Sequence, residues 1–368
     1  MEPIKNIRKN FDFTLIFLTL TACIFGIIMI SSAVTSNVSR YITVQIFSLV
    51  IGLIGIAILV AQDYNYLSKF SVYIYILCVV LLVLVLIPGI GASENGARRW
   101  IKFNSYIGLQ PSEVAKLGFI VTFSTHLSAV NDQLNRPRNV LLLCLHAAGI
   151  VGLILLQPDL GTSIQFICMA IAMLFVAGIG MRYILGGAAA AALSFPLLWF
   201  FAFKDYQKER ILTMLNPEAD LLDSGYHVLQ SKIAAGSGQI TGAGLYNGTS
   251  QFSNFLPERH TDFIYAVVGE ELGFIGAIFV ILLLVAIIMR CLYVSQIARN
   301  PLGQYMCTGV ATLFIFQTFQ NIGMCIGIMP VTGITLPFIS YGGSSLLVNL
   351  LAIGLVMSVH YRHKIINF

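Results

Sequence analysis

From Phe13 to Val34 the chain runs without a single Asp, Glu, Lys, Arg or His. About 20 consecutive, mostly apolar residues are what a helix needs to cross a bilayer. Comparable runs lie near 42–61, 70–90, 108–130, 139–156, 160–180, 182–203, 263–291, 303–328 and 334–361. Such a pattern leaves one class of fold: an all-α polytopic membrane protein of about ten transmembrane helices. Only 10% of the residues are charged, against roughly 25% in a soluble domain. That excludes a soluble globular enzyme, a disordered chain and a nucleic-acid binder. The first run exceeds the 7–15 residues of a signal-peptide core, so it reads as a retained span. Residues 1–368 form a single integral membrane domain, with one long extracytoplasmic loop, about 204–262, between spans seven and eight.

Basic residues in short loops set orientation. With the N-terminus in the cytoplasm, inside segments hold eleven of the 21 Lys and Arg, and short outside loops hold Arg40, Arg98, Arg99 and Lys102. Both termini therefore read as cytoplasmic. The outside segment GASENGARRWIKFNSY, with Arg98, Arg99 and Lys102, opposes this bias. It is either a local exception or a place where cations meet an anionic ligand.

The seven cysteines lie in apolar stretches and form no CxxC, so they read as free thiols. The six histidines give no HxxxH pair. The long loop carries Gly236, Gly238, Gly242, Gly244 and Gly248, which suggest tight turns. Segment 224–236 has the spacing of a short amphipathic helix on the membrane surface.

Ionisable groups inside a bilayer are costly, and each is a functional candidate. Glu113 and Lys116, three residues apart, share a helix face and can pair. They are a structural ion pair, the lining of a polar cavity, or both. In LLQPDLGTS, Pro158 stops one helix and Asp159 either caps the next or holds an arginine at the outer rim. In LPERHTDF, Asp262 stands where the long loop re-enters the membrane. It is an N-cap, or it belongs with Glu258, Arg259 and His260 to a site that binds phosphate and accepts a proton. Glu270 and Glu271 read as supports for helix packing. In GITLPFISYGGSS, Pro330, Gly333 and Pro337 interrupt the helix. The segment is a kinked packing element or lines a cavity. No base is placed to make Ser340 a nucleophile.

Four ordered stretches together resemble the SEDS (shape, elongation, division and sporulation) family: RRWIKFNSYIGLQPSEVAKL, LLQPDLGTS, FLPERHTDFIYAVVGEELGFIG and GITLPFISYGGSSLLVNLLAIGLV. Arg259 resembles the rod-shape branch more than the division branch. The resemblance implies a peptidoglycan glycosyltransferase of the bacterial cytoplasmic (inner) membrane that polymerises lipid II during elongation. The undecaprenyl-linked glycan is the implied donor, and the 4-hydroxyl of the GlcNAc of an incoming lipid II is the acceptor. It puts the family's proposed catalytic aspartate on Asp262, its cavity pair on Glu113 and Lys116, and its rim aspartate on Asp159. Arg98, Arg99, Lys102, Arg259 and Lys116 are then cations available to pyrophosphate, with His260 beside them. No dedicated metal cage is present in the sequence; Mg²⁺ or Mn²⁺ would be held by the substrate. The implied partners are a class B penicillin-binding transpeptidase, docked on the outer face of spans 263–291 and 303–328, and the elongation machinery. Two other classes fit ten spans: a lipid II flippase and a recruiting scaffold. The gathering of polar residues at one face favours the enzyme.

Overall fold

The computed structural model describes residues 11–89, 91–94, 97–102, 108–201, 203, 205–215, 224–248 and 258–363. Each expected span has its helix: α1 (Phe13–Ala33), α2 (Val38–Ala61), α4 (Ser71–Leu84), α5 (Pro111–Val130), α6 (Pro137–Leu156), α7 (Leu160–Val176), α8 (Met181–Phe201), α11 (Ile264–Ile297), α12 (Pro301–Cys325) and α13 (Gly343–Tyr361). Between them lie short α3 (Tyr64–Lys69), then α9 (Asp205–Leu215) and α10 (Ser224–Ser237) within the long loop. Five helices (α1, α2, α6, α11 and α13) are long and apolar enough to cross a membrane by length and composition; α4 and α7 are shorter apolar helices. The protein is an all-α polytopic membrane protein.

Local chemistry starts these helices where they start. Asp12 caps α1 by accepting from Leu15 N at 3.0 Å. Asn300 caps α12 by accepting from Gly303 N at 3.0 Å. Proline opens α5, α6 and α12, where its missing N–H costs nothing. Helices α12 and α13 bury side chains all round and form the centre, while α8 stands at the rim with Leu193 and Phe201 78% and 85% exposed. An apolar helix exposed to that extent belongs in lipid.

Two expected spans end differently. The third stops at Leu84, and a small antiparallel sheet follows, made of β1 (Gly91–Glu94), β2 (Ala97–Lys102) and β3 (Gly108–Leu109), in that order. Ile101 pairs with Gly91 and with Leu109. The tenth helix begins at Gly343, not near 334. Residues 326–342 re-enter the bundle without helix, burying Leu336, Phe338 and Ile339. Irregular backbone at that depth is stable only when protein encloses it.

The α11 helix is also broken. Gly273, at φ 64° and ψ −161°, leaves the helical region. The amides of Phe274 and Ile275 then donate to the carbonyls of Gln239 (2.8 Å) and Ile240 (3.2 Å). The glycine-rich loop after α10 thus replaces the lost helical partners. It also wraps the buried Glu270 and Glu271: Ser32 Oγ donates to Glu271 at 2.6 Å, and Gly244 N donates to its carbonyl at 2.9 Å. These glutamates hold packing, as their position in the sequence suggests. Helix α10 packs on α11 and α12 through Val228, Ser231 and Ala234, rather than lying only on a membrane surface.

Candidate active site

At the sheet end of the bundle, residues 258–263 form the turn that enters α11. Glu258, at φ 51°, offers its carbonyl to the amides of Thr261, Asp262 and Phe263. The N-cap position is Phe263, without a side-chain cap, so Asp262 does not cap the helix. Its side chain is only half-buried, and among the described residues its carboxyl oxygens accept no hydrogen bond.

Three successive carbonyls of this turn are each held from outside it. Tyr341 N donates to His260 at 2.9 Å. Ser340 Oγ donates to Thr261 at 2.6 Å and accepts from Leu336 N at 2.9 Å. Asn321 Nδ2 donates to Asp262 at 2.8 Å. The segment GITLPFISYGG is therefore the backing of the turn, and Ser340 is a clamp.

Residues 332–334 connect the turn to α7. A methyl group at Gly333 would stand 3.4 Å from Asp262 Oδ2, and one at Gly161 would stand 2.7 Å from Thr332 Cβ. Gly161 follows Asp159, the α7 N-cap, whose Oδ1 accepts from Thr162 N at 3.1 Å. Asp159 Oδ2 lies 3.8 Å from Arg99 Nε. Arg99, on β2, also donates to the carbonyls of Gln157 and Pro158. Its side chain stays 22% exposed, against 5% for Asp159, so part of Arg99 remains open beside its partners. Both readings of Asp159, helix cap and arginine holder, describe the geometry. The sheet is tied above this site, with Ser344 Oγ donating to Gly108 O at 3.0 Å.

Electrostatics single out Asp262. The protein packed round it pushes its pKa up to about 7, helped by the negative charge of Glu258 and opposed by Arg210 and Arg99. Burial pushes the His260 pKa down, with Glu258 pulling it up and Arg259 down. The His260 ring packs edge-on against Tyr41, centroids 4.9 Å apart, and beside Tyr341. It is neutral at neutral pH and belongs to an aromatic wall.

The remaining sequence candidates lie apart. Arg259 is buried and donates to Ala33 O at 2.6 Å and Thr35 Oγ1 at 3.2 Å, holding the end of α1. Lys116 Nζ donates to Glu113 Oε1 at 2.7 Å, both groups buried near the start of α5; Glu113 Oε2 has no partner among the described residues. The backbones of Arg98 and Lys102 lie in β2, but their side chains lie outside the described residues. Among the described residues, no three His, Cys, Asp or Glu side chains converge as a metal site.

Sequence reading missed Arg210 and Asn321. Arg210 sits in the long loop, where the orientation rule ignores charge. Asn321 lies in QTFQNIGM, whose amides inside a span were themselves a signal.

A family model described as cell cycle protein, FtsW/RodA/SpoVE, matches residues 13–365. The chain belongs to that family. Peptidoglycan glycosyltransferase MrdB of Escherichia coli K12 is 35% identical over 362 residues, covering 98% of this chain and 96% of that one. A probable peptidoglycan glycosyltransferase FtsW of Geobacter metallireducens is 37% identical over 370 residues, covering 97% and 96%. Among solved structures, a chain of a peptidoglycan synthase complex coordinating polymerization and crosslinking superposes with TM-score 0.83 at 31% identity, covering 96% of this chain and 98% of that one. The rod shape determining protein RodA of Thermus thermophilus gives 0.71 at 29%, covering 95% and 96%. This FtsW/RodA/SpoVE chain is thus a multi-pass inner-membrane protein of the bacterial cell-shape and division group. Its relatives include members of both the rod-shape and the division branches.

Proposed function

We propose that this chain is a peptidoglycan glycosyltransferase that polymerises lipid II at the outer face of the cytoplasmic membrane during cell elongation, with both termini in the cytoplasm. The observation that carries this reading is Asp262: an uncapped carboxyl with a pKa near 7, within the electrostatic reach of Arg99 and Arg210. A base poised near the working pH suits proton transfer from a hydroxyl.

The sugar transfer is a single displacement. Asp262 takes the proton of the GlcNAc 4-hydroxyl of the acceptor as its oxygen attacks C1 of the donor MurNAc. The new C1–O bond forms as the bond from C1 to the undecaprenyl pyrophosphate breaks, inverting an α-linkage to a β-1,4 linkage. Negative charge grows on the departing pyrophosphate, and Arg99 and Arg210 are the cations for it. Arg98 and Lys102 are further cations of this reading; Lys116 stays in its pair with Glu113, and Arg259 and His260 shape the turn. A divalent cation such as Mg²⁺ or Mn²⁺, brought on the pyrophosphate, would add charge neutralisation. Glu113 and Lys116 flank the groove for the polyprenyl chain.

The relatives named as glycosyltransferases favour this over a flippase. The solved synthase complex supports a class B penicillin-binding protein as partner. Its dock is the apolar lipid face of α11 and α12, where Phe274, Phe279 and Phe319 are exposed. The decisive experiment supplies lipid II in detergent to the purified chain, alone and with the transpeptidase. Glycan strands should form, and Asp262→Ala should abolish them at unchanged expression. Absence of polymer under both conditions sinks the reading.

A further inference from the structure

Helix α11 makes its first backbone bonds at Phe263: the amides of Ala266 and Val267 both donate to the Phe263 carbonyl, at 3.0 and 3.4 Å. The carbonyl of Asp262 is therefore left over by the helix it precedes. The carbonyl of Ile334 lies in the non-helical re-entrant segment, which has no ladder to serve it. Buried backbone acceptors need a partner. One side chain provides both: Asn321 Nδ2 donates at 2.8 Å to Asp262 O and at 2.8 Å to Ile334 O.

This arrangement is specific to an amide. Among uncharged side chains only an amide NH₂ presents two hydrogens from one atom to two carbonyls, so the two acceptors also decide which way the amide faces. Asn321 is fully buried, and among the described residues its Oδ1 has no partner. An unsatisfied buried acceptor is a cost that an aliphatic side chain would avoid. The double donation explains why that cost is carried.

Its geometric effect reaches the carboxyl. Ile334 follows Gly333, above which Asp262 Oδ2 sits. Asn321 thus ties the backbone that bears the carboxyl to the backbone that forms its floor. Cys325, one turn further along α12, also lies against Asp262 O, at 3.7 Å from Sγ. We propose that Asn321 is a positioning residue for Asp262, holding the carboxyl in register with the re-entrant segment by bridging the carbonyls of Asp262 and Ile334. The assignment rests on the glycosyltransferase reading above and goes beyond it, since Asn321 touches no substrate.

The test uses the full-length protein with lipid II in detergent, comparing wild type with Asn321→Ala, Asn321→Leu and Asn321→Asp. In the Ala and Leu variants kcat should fall at least tenfold while KM for lipid II moves less than threefold. Asn321→Asp reports on the bridge itself. A protonated carboxyl still donates to one carbonyl, whereas a carboxylate repels both of them and Asp262. The activity of Asn321→Asp relative to wild type should therefore drop at least fivefold from pH 6 to pH 8.5. A residue that merely fills space would give a flat ratio. A flat ratio, or kcat within threefold of wild type in both apolar variants, overturns the assignment. Full activity in Asp262→Ala would instead remove the parent reading, and this one with it; the Asn321 outcomes leave the parent standing.

Discussion

Asp262 and Gly333 meet across the floor of the site: Oδ2 of the carboxyl would lie 3.4 Å from a methyl group placed on the glycine. Gly333 also holds φ at 68°, a region an L-residue enters at a cost of about 1–2 kcal/mol. Gly333→Ala should therefore lower stability by about that amount and reduce polymerisation, because relieving the backbone strain moves the 332–334 segment that lies in contact with Asp262. Thermal melting with a lipid II assay tests both effects. Unaltered turnover would detach the 332–334 segment from the chemistry.

The pH dependence follows from the groups around Asp262. A base acts when deprotonated, so the rate should rise with pH and reach half its plateau near the pKa of about 7. Glu258 raises that pKa, and Arg210 and Arg99 lower it. Glu258→Gln should move the rising limb to lower pH. Arg210→Gln should move it to higher pH and slow the plateau as well, through lost pyrophosphate neutralisation. Profiles of kcat measured from pH 5 to pH 9 decide. A limb that shifts the same way in both variants would contradict this electrostatic layout.

A second consequence needs no substrate. The folded-state pKa of Asp262 lies above its ordinary value of 3.8, so between those two values the folded protein binds a proton that the unfolded chain releases. Stability then falls as pH rises through that window, and the deficit is complete above about pH 7. Asp262→Asn removes the ionisation. Its melting temperature should exceed that of wild type at pH 8, and the difference should shrink toward pH 4. A variant less stable than wild type at pH 8 would mean that the carboxylate is held by favourable contacts.

The ten spans were legible because the bilayer demands long apolar runs and tolerates little else. Helix ends were less so. Residues 334–342 are apolar enough to join the last span, but Pro337 and the buried, non-helical path of the segment delay the helix to Gly343. Individual charges stood out against lipid, so Arg99, Asp159 and Asp262 could be singled out before any contact was known. What links them could not. The clamps Asn321 to Asp262 and Ser340 to Thr261 join residues 59 and 79 positions apart. Hydropathy says which segments cross, not which helices neighbour one another. Arg259 shows what adjacency leaves out: beside its neighbours in LPERHTDF, its guanidinium also reaches Ala33 and Thr35 at the end of α1. The cations whose charge acts on Asp262, Arg210 and Arg99, come from remote segments.

The Glu113–Lys116 pair offers the sharpest separation of structure from function. The two groups lie 2.7 Å apart with side-chain exposures of 11% and 2%. Removing one member leaves the other as an uncompensated buried charge, a loss of about 3–5 kcal/mol. Replacing both with apolar residues of similar size removes that penalty and is often neutral for folding. Glu113→Leu and Lys116→Met should each therefore destabilise the protein strongly, and the double variant should recover most of the loss in thermal melting. Polymerisation answers the remaining question. Among the described residues Glu113 Oε2 is buried without a partner, and an unsatisfied buried carboxylate oxygen calls for an explanation. If the pair also lines the lipid groove, the double variant should fold yet polymerise lipid II at least tenfold more slowly, with the defect in KM. A double variant that regains both stability and turnover would reduce the pair to a fastener between helices.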